Sequence, residues 1–513
     1  MLRWLKSWLH RRWRRPLVTS LIWLFLITPA WSRQIAPAAD TSIQPYLDRV
    51  IDSVTEFKLD NGMQFIVLER HQAPVVSFMT YVDVGGMDEP DGKTGIAHFL
   101  EHLAFKGTSQ IGTTDAQKER QLLDKLDQLW AQQQAATDPA AQKSLQAEFD
   151  RTEQQAQGYV EQNEFGRIVE QAGGVGLNAT TSADATNYFY SFPSNKLELW
   201  MSLESERFLD PVFREFYKEK AVILEERRLR TENSPIGRLV EAFTDKAFTV
   251  HPYKRPVIGY VPDLKSISRP DVEQFFRTHY VPGKMTIALV GDVDAAEVKR
   301  LAQLYFGRFP AKPVPPNVQL VEPKQTELRE ATLSLPTQPI YVEGYHRSAM
   351  NHPDHVVYEA IASLLSDGRT SRLYQTLVQT EKIALTAESF NGFPGDKDPT
   401  LIMFYALTAP GHTIEQVQQA LHDQVERLKT EPVSPEELER VKTQARAALL
   451  RSLDSNSGMA AAMAEYQVKT GNWRNLFKEL DAIAAITPAD IQRVAQATFT
   501  PENRTIARVL PAQ

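Results

Sequence analysis

The sequence predicts an α+β protein made of two homologous domains, each an antiparallel-rich sheet packed with helices. Strand-like apolar runs alternate with helical periodicities in both halves of the 513 residues. Pro310, Pro313, Pro315, Pro316 and Pro323 crowd the stretch between the halves. A closing unit also occurs twice. Ile267-Ser-Arg-Pro-Asp271 matches Ile486-Thr-Pro-Ala-Asp490, Pro282 matches Pro501, and Thr286-Ile-Ala288 matches Thr505-Ile-Ala507, all at an offset of 219 without a gap.

The chain opens on a basic head, Arg3, Lys6, Arg11, Arg12, Arg14 and Arg15, with no acid among them. The apolar run Leu17–Ile27 follows, then the small-x-small site Ala30-Trp-Ser32. The run is short for a spanning helix and a cleavage site is present, so residues 1–32 read as a secretory signal peptide; the alternative is an uncleaved membrane anchor. Cleavage removes six positive charges and takes the net charge from −7 to −13. The expected location is outside the cytoplasm, in a bacterial periplasm or cell envelope. There is no cysteine, which excludes disulfides and thiolate metal sites. The body carries no sustained basic stripe, so nucleic-acid binding is not expected.

The elements follow in order. Phe57–Leu68 reads as a β-hairpin turning on Asn61-Gly62. Pro74–Val84 is a strand, broken by Gly85-Gly86 and Asp91-Gly92 before a histidine-bearing helix. Residues 114–163 show two helical faces, Leu122, Leu126, Leu129 and Trp130, then Leu145, Phe149, Ala156 and Val160, interrupted at Asp138-Pro139. They read as an inserted helical hairpin with no chemistry of its own. Phe165–Ala172 is a short helix, and Leu177–Phe192 two strands around a polar turn. Helices are expected at Lys196–Phe208, Phe213–Arg230, Val240–Phe248 and Ile267–Tyr280. Strand Met285–Val290 and helix Asp294–Phe306 close the first domain, 50–309. After the linker at 310–330, the second domain, 331–513, repeats strands, then helices Asp354–Leu365 and Ser371–Gln379, two more strands and several long helices. His352 and His355, before or at the start of helix Asp354–Leu365, are expected to be solvated.

Within Gly95–Thr108 stand His98, Glu101 and His102, in the order H-x-x-E-H. On a helix the two histidines lie one turn apart on one face, with Glu101 projecting from the same side. Two imidazoles at that spacing suit zinc, which needs a third protein ligand and an open position. A bound water then ionises near pH ~7 and a carboxylate can take its proton. The order is the inverzincin signature. The interleaved Ile96, Ala97, Phe99, Leu100, Leu103, Ala104 and Phe105 imply burial, where unpartnered histidines would be costly. The third ligand is expected from another helix. In Glu215–Arg228, Glu219 and Glu226 are seven apart and share a face, while Glu225 points elsewhere.

His98-Phe-Leu-Glu101-His102 followed by Glu219-x6-Glu226 resembles the pitrilysin/insulinase family of metallopeptidases, in particular its shorter two-domain members. The likeness covers about residues 50–513. The resemblance implies His98, His102 and Glu226 as zinc ligands, Glu101 as general base and Glu219 as a supporting carboxylate at the active site. It implies a first, zinc-binding peptidase domain and a second, inactive one. Asn178-Ala179 matches the strand to which the substrate backbone adds in that family.

The sequence departs from the family twice. The His102–Glu226 spacing is long, which the 114–163 insertion accounts for. Active members also carry an Arg and a Tyr, seven residues apart, that bind the substrate carbonyl. Alignment of Leu377–Ala387 places Gln379 and Thr386 at those positions, and Arg372 and Tyr374 are poor substitutes. The expectation is therefore a zinc endopeptidase acting on peptides or small unfolded proteins, whose site is completed by a zinc-less homologue; a homodimer, or a monomer with weak activity, is the fallback. The alternative is a non-catalytic structural or binding subunit. A membrane enters only if the N-terminal segment stays uncleaved.

Overall fold

A computed structural model describes residues 44–316 and 320–512; the expected signal peptide lies outside them. Two sheets organise the chain. The first runs β1 (Val54–Lys58), β2 (Gln64–Glu69), β3 (Val75–Val82), β4 (Val175–Thr181), β5 (Thr186–Pro193) and β6 (Met285–Gly291), in the spatial order β1-β2-β6-β3-β5-β4. The second contains β7 (Arg329–Leu335), β8 (Ile340–Arg347), β9 (Ala384–Phe393), β10 (Thr400–Thr408) and β11 (Arg504–Pro511), in the order β7-β11-β8-β10-β9.

The 219-residue repeat is visible in this topology. β6 lies parallel to β2 and antiparallel to β3, and β11 lies parallel to β7 and antiparallel to β8. Every other neighbouring pair is antiparallel. The helices before the two strands, Arg269–His279 and Pro488–Thr498, start in the same way. Ser268 and Thr487 accept the backbone N–H of Asp271 and Asp490, whose carboxylates return a bond to the cap.

Burial along the strands explains their order. β6 is buried at every position and β3 at all but its first, as central strands covered on both faces must be. β5 alternates buried and half-buried residues, and β4 is largely exposed, as an edge strand. One face of the first sheet carries helices Ile96–Leu103, Leu197–Leu209, Arg269–His279 and Ala295–Tyr305; Phe78 of β3 stacks on Trp200 with centroids 4.2 Å apart. Helix Asn456–Thr470, from the second half of the chain, packs on β3 and β6, burying Met459, Ala460, Met463 and Ala464. In return, helix Pro235–Ala247 from the first half packs on β7, β8 and β11, where Leu239, Phe243 and Ala247 meet Val342, Met403, Ala507 and Val509.

Polar pins accompany the exchange. Asp184, buried in the β4–β5 turn, accepts the backbone N–H of Asp396 at 2.8 Å and of Lys397 at 3.1 Å, and the hydroxyl of Tyr253. Glu56 of β1 accepts from the Trp473 indole at 2.8 Å and from Arg474 at 2.9 Å. From Leu47 onward the chain forms one compact unit. Among the described residues no helix is long and apolar enough to cross a membrane.

The expected hairpin insertion is present as helices Ala116–Ala135 and Pro139–Gln157, which bury Leu123, Leu126, Leu129, Phe149 and Ala156 between them. Two expectations need correction. The Phe213–Arg230 helix starts only at Phe216, after Glu215 with φ 54°, and from Arg228 to Glu232 it continues as a π turn. His355 is buried rather than solvated. It starts helix His355–Ser366, lies 4.0 Å from Glu359 and is lowered to about 4 by burial.

Candidate metal centre

Helix Ile96–Leu103 has no side-chain cap of its own at its N terminus. Gly95 precedes it with φ 90°, and a Cβ there would stand 2.7 Å from the Ile258 carbonyl, so only glycine fits. The buried Glu89 carboxylate accepts the N–H groups of Gly95 and Ala97, both at 2.9 Å, and so caps the helix from an upstream turn. Burial raises Glu89 to about 8 in spite of these bonds. Ile96, Ala97, Phe99, Leu100 and Leu103 anchor the helix in the core. Phe99 stacks on Phe216 at 4.6 Å, which holds this helix against Phe216–Arg227.

That contact brings the expected metal residues together. The His98 and His102 rings are 4.8 Å apart. Glu226 Oε1 is 3.9 Å from His98 Nε2, and Glu226 Oε2 is 3.5 Å from His102 Nε2. One donor atom from each of the three residues lies within 4.8 Å of the others. Two imidazoles and a carboxylate at this separation fit a zinc ion's three-ligand set. Among the described residues no other group of histidines and acids converges in this way.

Each donor is in a distinct electrostatic state. His98 is 8% exposed, and burial lowers it to about 4, with the neighbouring His102 adding to the effect, so its imidazole is neutral. Its Nδ1 has no hydrogen-bond partner. Burial would also lower His102, but its hydrogen bonds to Glu219 and Glu226 outweigh this and raise it to about 9. Burial would raise Glu226, but the His102 hydrogen bond and the nearby Arg230 and His102 charges bring it down to about 2.

Glu219 stands behind His102, with Oε2 3.3 Å from His102 Nδ1. An Nδ1–H directed at Glu219 leaves Nε2 as the lone-pair donor. Glu219 Oε1 accepts from Lys106 at 2.5 Å; Lys106 also reaches Glu215 at 3.1 Å, and Gln162 donates to Glu215 at 2.9 Å. Glu225 faces outward and pairs with Arg228. Arg230 pairs with Glu226 Oε1 at 2.5 Å.

Glu101 lies beside the donor set. The Thr181 hydroxyl of β4 donates to Glu101 Oε2 at 2.5 Å. Burial raises Glu101 above the ordinary carboxylate range, and the Thr181 bond partly opposes the shift. A pocket of about 300 Å³ opens here, lined by Glu101, His102, Phe105, Lys106 and the hairpin exit Val160–Asn163. Asn178 and Ala179 sit on the edge strand β4, where Asn178 Oδ1 accepts the Ala179 N–H at 3.0 Å.

Among the described residues of the second half, other side chains stand at the positions expected for the Arg and Tyr. Gln379 is exposed, and Thr386 of β9 donates to Glu388 at 3.2 Å. Arg372 is held in a two-pronged pair with Glu437, both contacts at 2.9 Å. Sequence reasoning missed Glu89, Lys106, Thr181 and Arg230. Lys106 and Arg230 follow the two motifs by four residues, which is the signal that could have found them.

Comparison with known proteins places the chain in a family. A sequence model described as Insulinase (Peptidase family M16) matches residues 65–161 and 154–260, and one described as Peptidase M16 inactive domain matches 266–445. The chain belongs to the insulinase family, peptidase family M16. It is 29% identical to a Helicobacter pylori protein named zinc protease PqqE, over 92% of this chain and 95% of that one. It is 26% identical to the probable mitochondrial-processing peptidase subunit beta of Schizosaccharomyces pombe, over 85% and 87%. A crystal structure of a protease from Helicobacter pylori superposes with a TM-score of 0.76 at 27% identity, covering 89% of this chain and 99% of that one. A Pseudomonas fluorescens structure described as a peptidase M16 inactive domain shares the fold, with a TM-score of 0.72 at 14% identity, over 90% and 98%.

Proposed function

We propose that this chain is a zinc-dependent endopeptidase that cleaves peptides or small unfolded proteins. The observation that carries the reading is the convergence of His98, His102 and Glu226 within 4.8 Å beside a raised carboxylate, Glu101. Zinc held by those three residues would supply Lewis acidity to a water and to the scissile carbonyl. Glu101 takes the water proton and returns it to the departing amine nitrogen. Thr181 holds Glu101 Oε2 and so leaves Oε1 for the transfer. Glu219 keeps the His102 ring oriented, and the open edge of β4 at Asn178-Ala179 aligns an extended substrate backbone by strand addition.

In this reading residues 50–309 are the peptidase domain, with 114–163 inserted, 310–330 the linker and 331–513 the inactive homologous domain. Gln379 and Thr386, at the positions of the Arg and Tyr, favour a partner that supplies that pair, a zinc-less homologue; a homodimer is the fallback, and it would leave both positions unfilled. One relative is itself named a subunit. Residues 1–32 direct the chain to a bacterial periplasm or cell envelope. The same two positions, with a match to a model described as an inactive domain, favour a second reading, a non-catalytic subunit of a peptidase-like complex.

Peptide cleavage by the purified chain, alone and with any co-purifying partner, separates these readings. Glu101→Gln should lower cleavage by about 10²–10⁴-fold while zinc content stays at one per chain. Cleavage equal to wild type in that variant would sink the peptidase reading, and full activity of the lone chain would sink the shared site. His98→Ala, His102→Ala and Glu226→Ala should each lose stoichiometric zinc.

A further inference from the structure

We propose that Arg230 is a positioning residue of the metal centre, holding the Glu226 carboxylate in its ligating orientation. The inference rests on the zinc reading above and adds a residue to it.

The run Arg227-Arg228-Leu229-Arg230 looks like a single charged surface in sequence, but its arginines do three different things. Arg227 is buried and donates to the Gly259 carbonyl at 2.6 Å and to Glu241 at 3.0 and 3.1 Å, which ties down the end of the helix. Arg228 forms a two-pronged pair with Glu225, and both side chains are half or more exposed. An exposed pair of that kind contributes little. Arg230 differs because its partner is not a surface group. The Glu226 side chain is 17% exposed and lies between two imidazoles, while Arg230 is 56% exposed and approaches from the solvent side.

The contact is selective within the carboxylate. Arg230 Nη1 takes Oε1 at 2.5 Å, the oxygen that lies 3.9 Å from His98 Nε2, and Oε2 is the oxygen nearest His102 Nε2, at 3.5 Å. A free glutamate carboxylate rotates about its last bond, and a guanidinium on one oxygen restricts that rotation. Glu219 does the corresponding service for His102, and burial alone holds His98. The backbone that carries Arg230 is also constrained. It lies in the π turn Arg228–Glu232, and Gly237 packs so closely over it that a Cβ there would stand 2.1 Å from the Arg230 carbonyl oxygen. The guanidinium is thus delivered from a fixed base, and arginine is charged at every accessible pH.

The test measures zinc affinity in full-length metal-free protein by competition with a chromogenic chelator. Wild type is compared with Arg230→Ala, Arg230→Lys and the control Arg228→Ala. Arg230→Ala should bind zinc about 10–100-fold more weakly, the range expected for an outer partner of a ligand. Arg230→Lys should recover part of that loss, and Arg228→Ala should stay within about twofold of wild type. Thermal melting of the metal-free forms should coincide, which shows that the fold is unchanged. Cobalt(II) in place of zinc should give a visible spectrum altered in Arg230→Ala and not in Arg228→Ala. Wild-type affinity in Arg230→Ala overturns the inference, and tighter binding there overturns it in favour of a guanidinium that competes with the metal. A wild-type chain that binds no zinc, or a His98→Ala chain that binds it normally, overturns the zinc reading itself.

Discussion

Glu101 and His102 are neighbours that both titrate higher than their free forms, for opposite reasons: burial disfavours the charged carboxylate, and carboxylate partners favour the charged imidazole. Burial keeps Glu101 protonated to higher pH than a free carboxylate, and the Thr181 hydroxyl stabilises its charged form. Thr181→Val should therefore raise Glu101 further, and the acid limb of kcat/KM against pH should move to higher pH; a limb that stays in place would show that Glu101 does not set it. His102, raised to about 9, must lose its proton to bind a metal. Apparent zinc affinity should thus weaken by about tenfold for each pH unit below 9, measured by chelator competition. In the metal-free protein the same proton acts on stability. The His102 contribution is complete below its ordinary 6.5 and is lost as pH rises through about 9, while Glu226, held near 2, keeps its contribution across that window. Melting of metal-free protein should fall from pH 6.5 to 9, and zinc-loaded protein should not show this decline. The candidate ligand residues were legible because helical spacing converts directly into a shared face. Thr181 and Glu89 were not, because a threonine on a strand or a glutamate in a turn carries no pattern until its partner is in place; Arg230, an arginine among arginines, was set apart only by its spacing of four from Glu226.

At the scale of elements, the inserted hairpin has more consequence than its glutamine-rich sequence implied. Glu119, on its first helix, is 1% exposed and accepts from Arg214 at 2.8 and 3.1 Å. Arg214 also donates to the carbonyls of Thr108, at 2.6 Å, Ile111, at 2.9 Å, and Lys106. The hairpin is thereby fastened to the loop that follows the histidine helix. Glu119→Ala leaves a buried guanidinium without its counter-charge and should cost about 3–5 kcal/mol in urea unfolding. A cost below 1 kcal/mol would show that water reaches Arg214. The two helices of the hairpin were readable from their apolar spacing, with Asp138 capping the second. The buried glutamate was not, since a Lys-Glu-Arg turn looks like any solvated helix start. The π turn was hidden for a related reason: Gly237 closes over the Arg230 carbonyl there, a contact that no local periodicity records.

At the scale of the molecule, the repeat predicted two alike halves and the topology bears that out, but the sequence held no sign that each half lends a helix to the other. Amphipathic patterning says that a helix has an apolar face without saying which sheet receives it. The exchange of Pro235–Ala247 and Asn456–Thr470, pinned by Asp184 and Glu56, should make unfolding a single transition. Calorimetry should give equal van't Hoff and calorimetric enthalpies; two separate transitions would mean that the halves unfold independently. Asp184→Ala should lower the common midpoint rather than split it.

The exchanged helix also sets an order in time. The first sheet is complete in sequence once β6 has been made, at Gly291, yet the cover for β3 and β6 ends at Thr470. At about 5–20 residues per second, a ribosome needs on the order of 10–40 s to make the roughly 180 residues between them. During that interval an apolar sheet face has no partner on its own chain, so the nascent protein is most exposed to aggregation and most in need of a chaperone while its candidate metal ligands have already been synthesised.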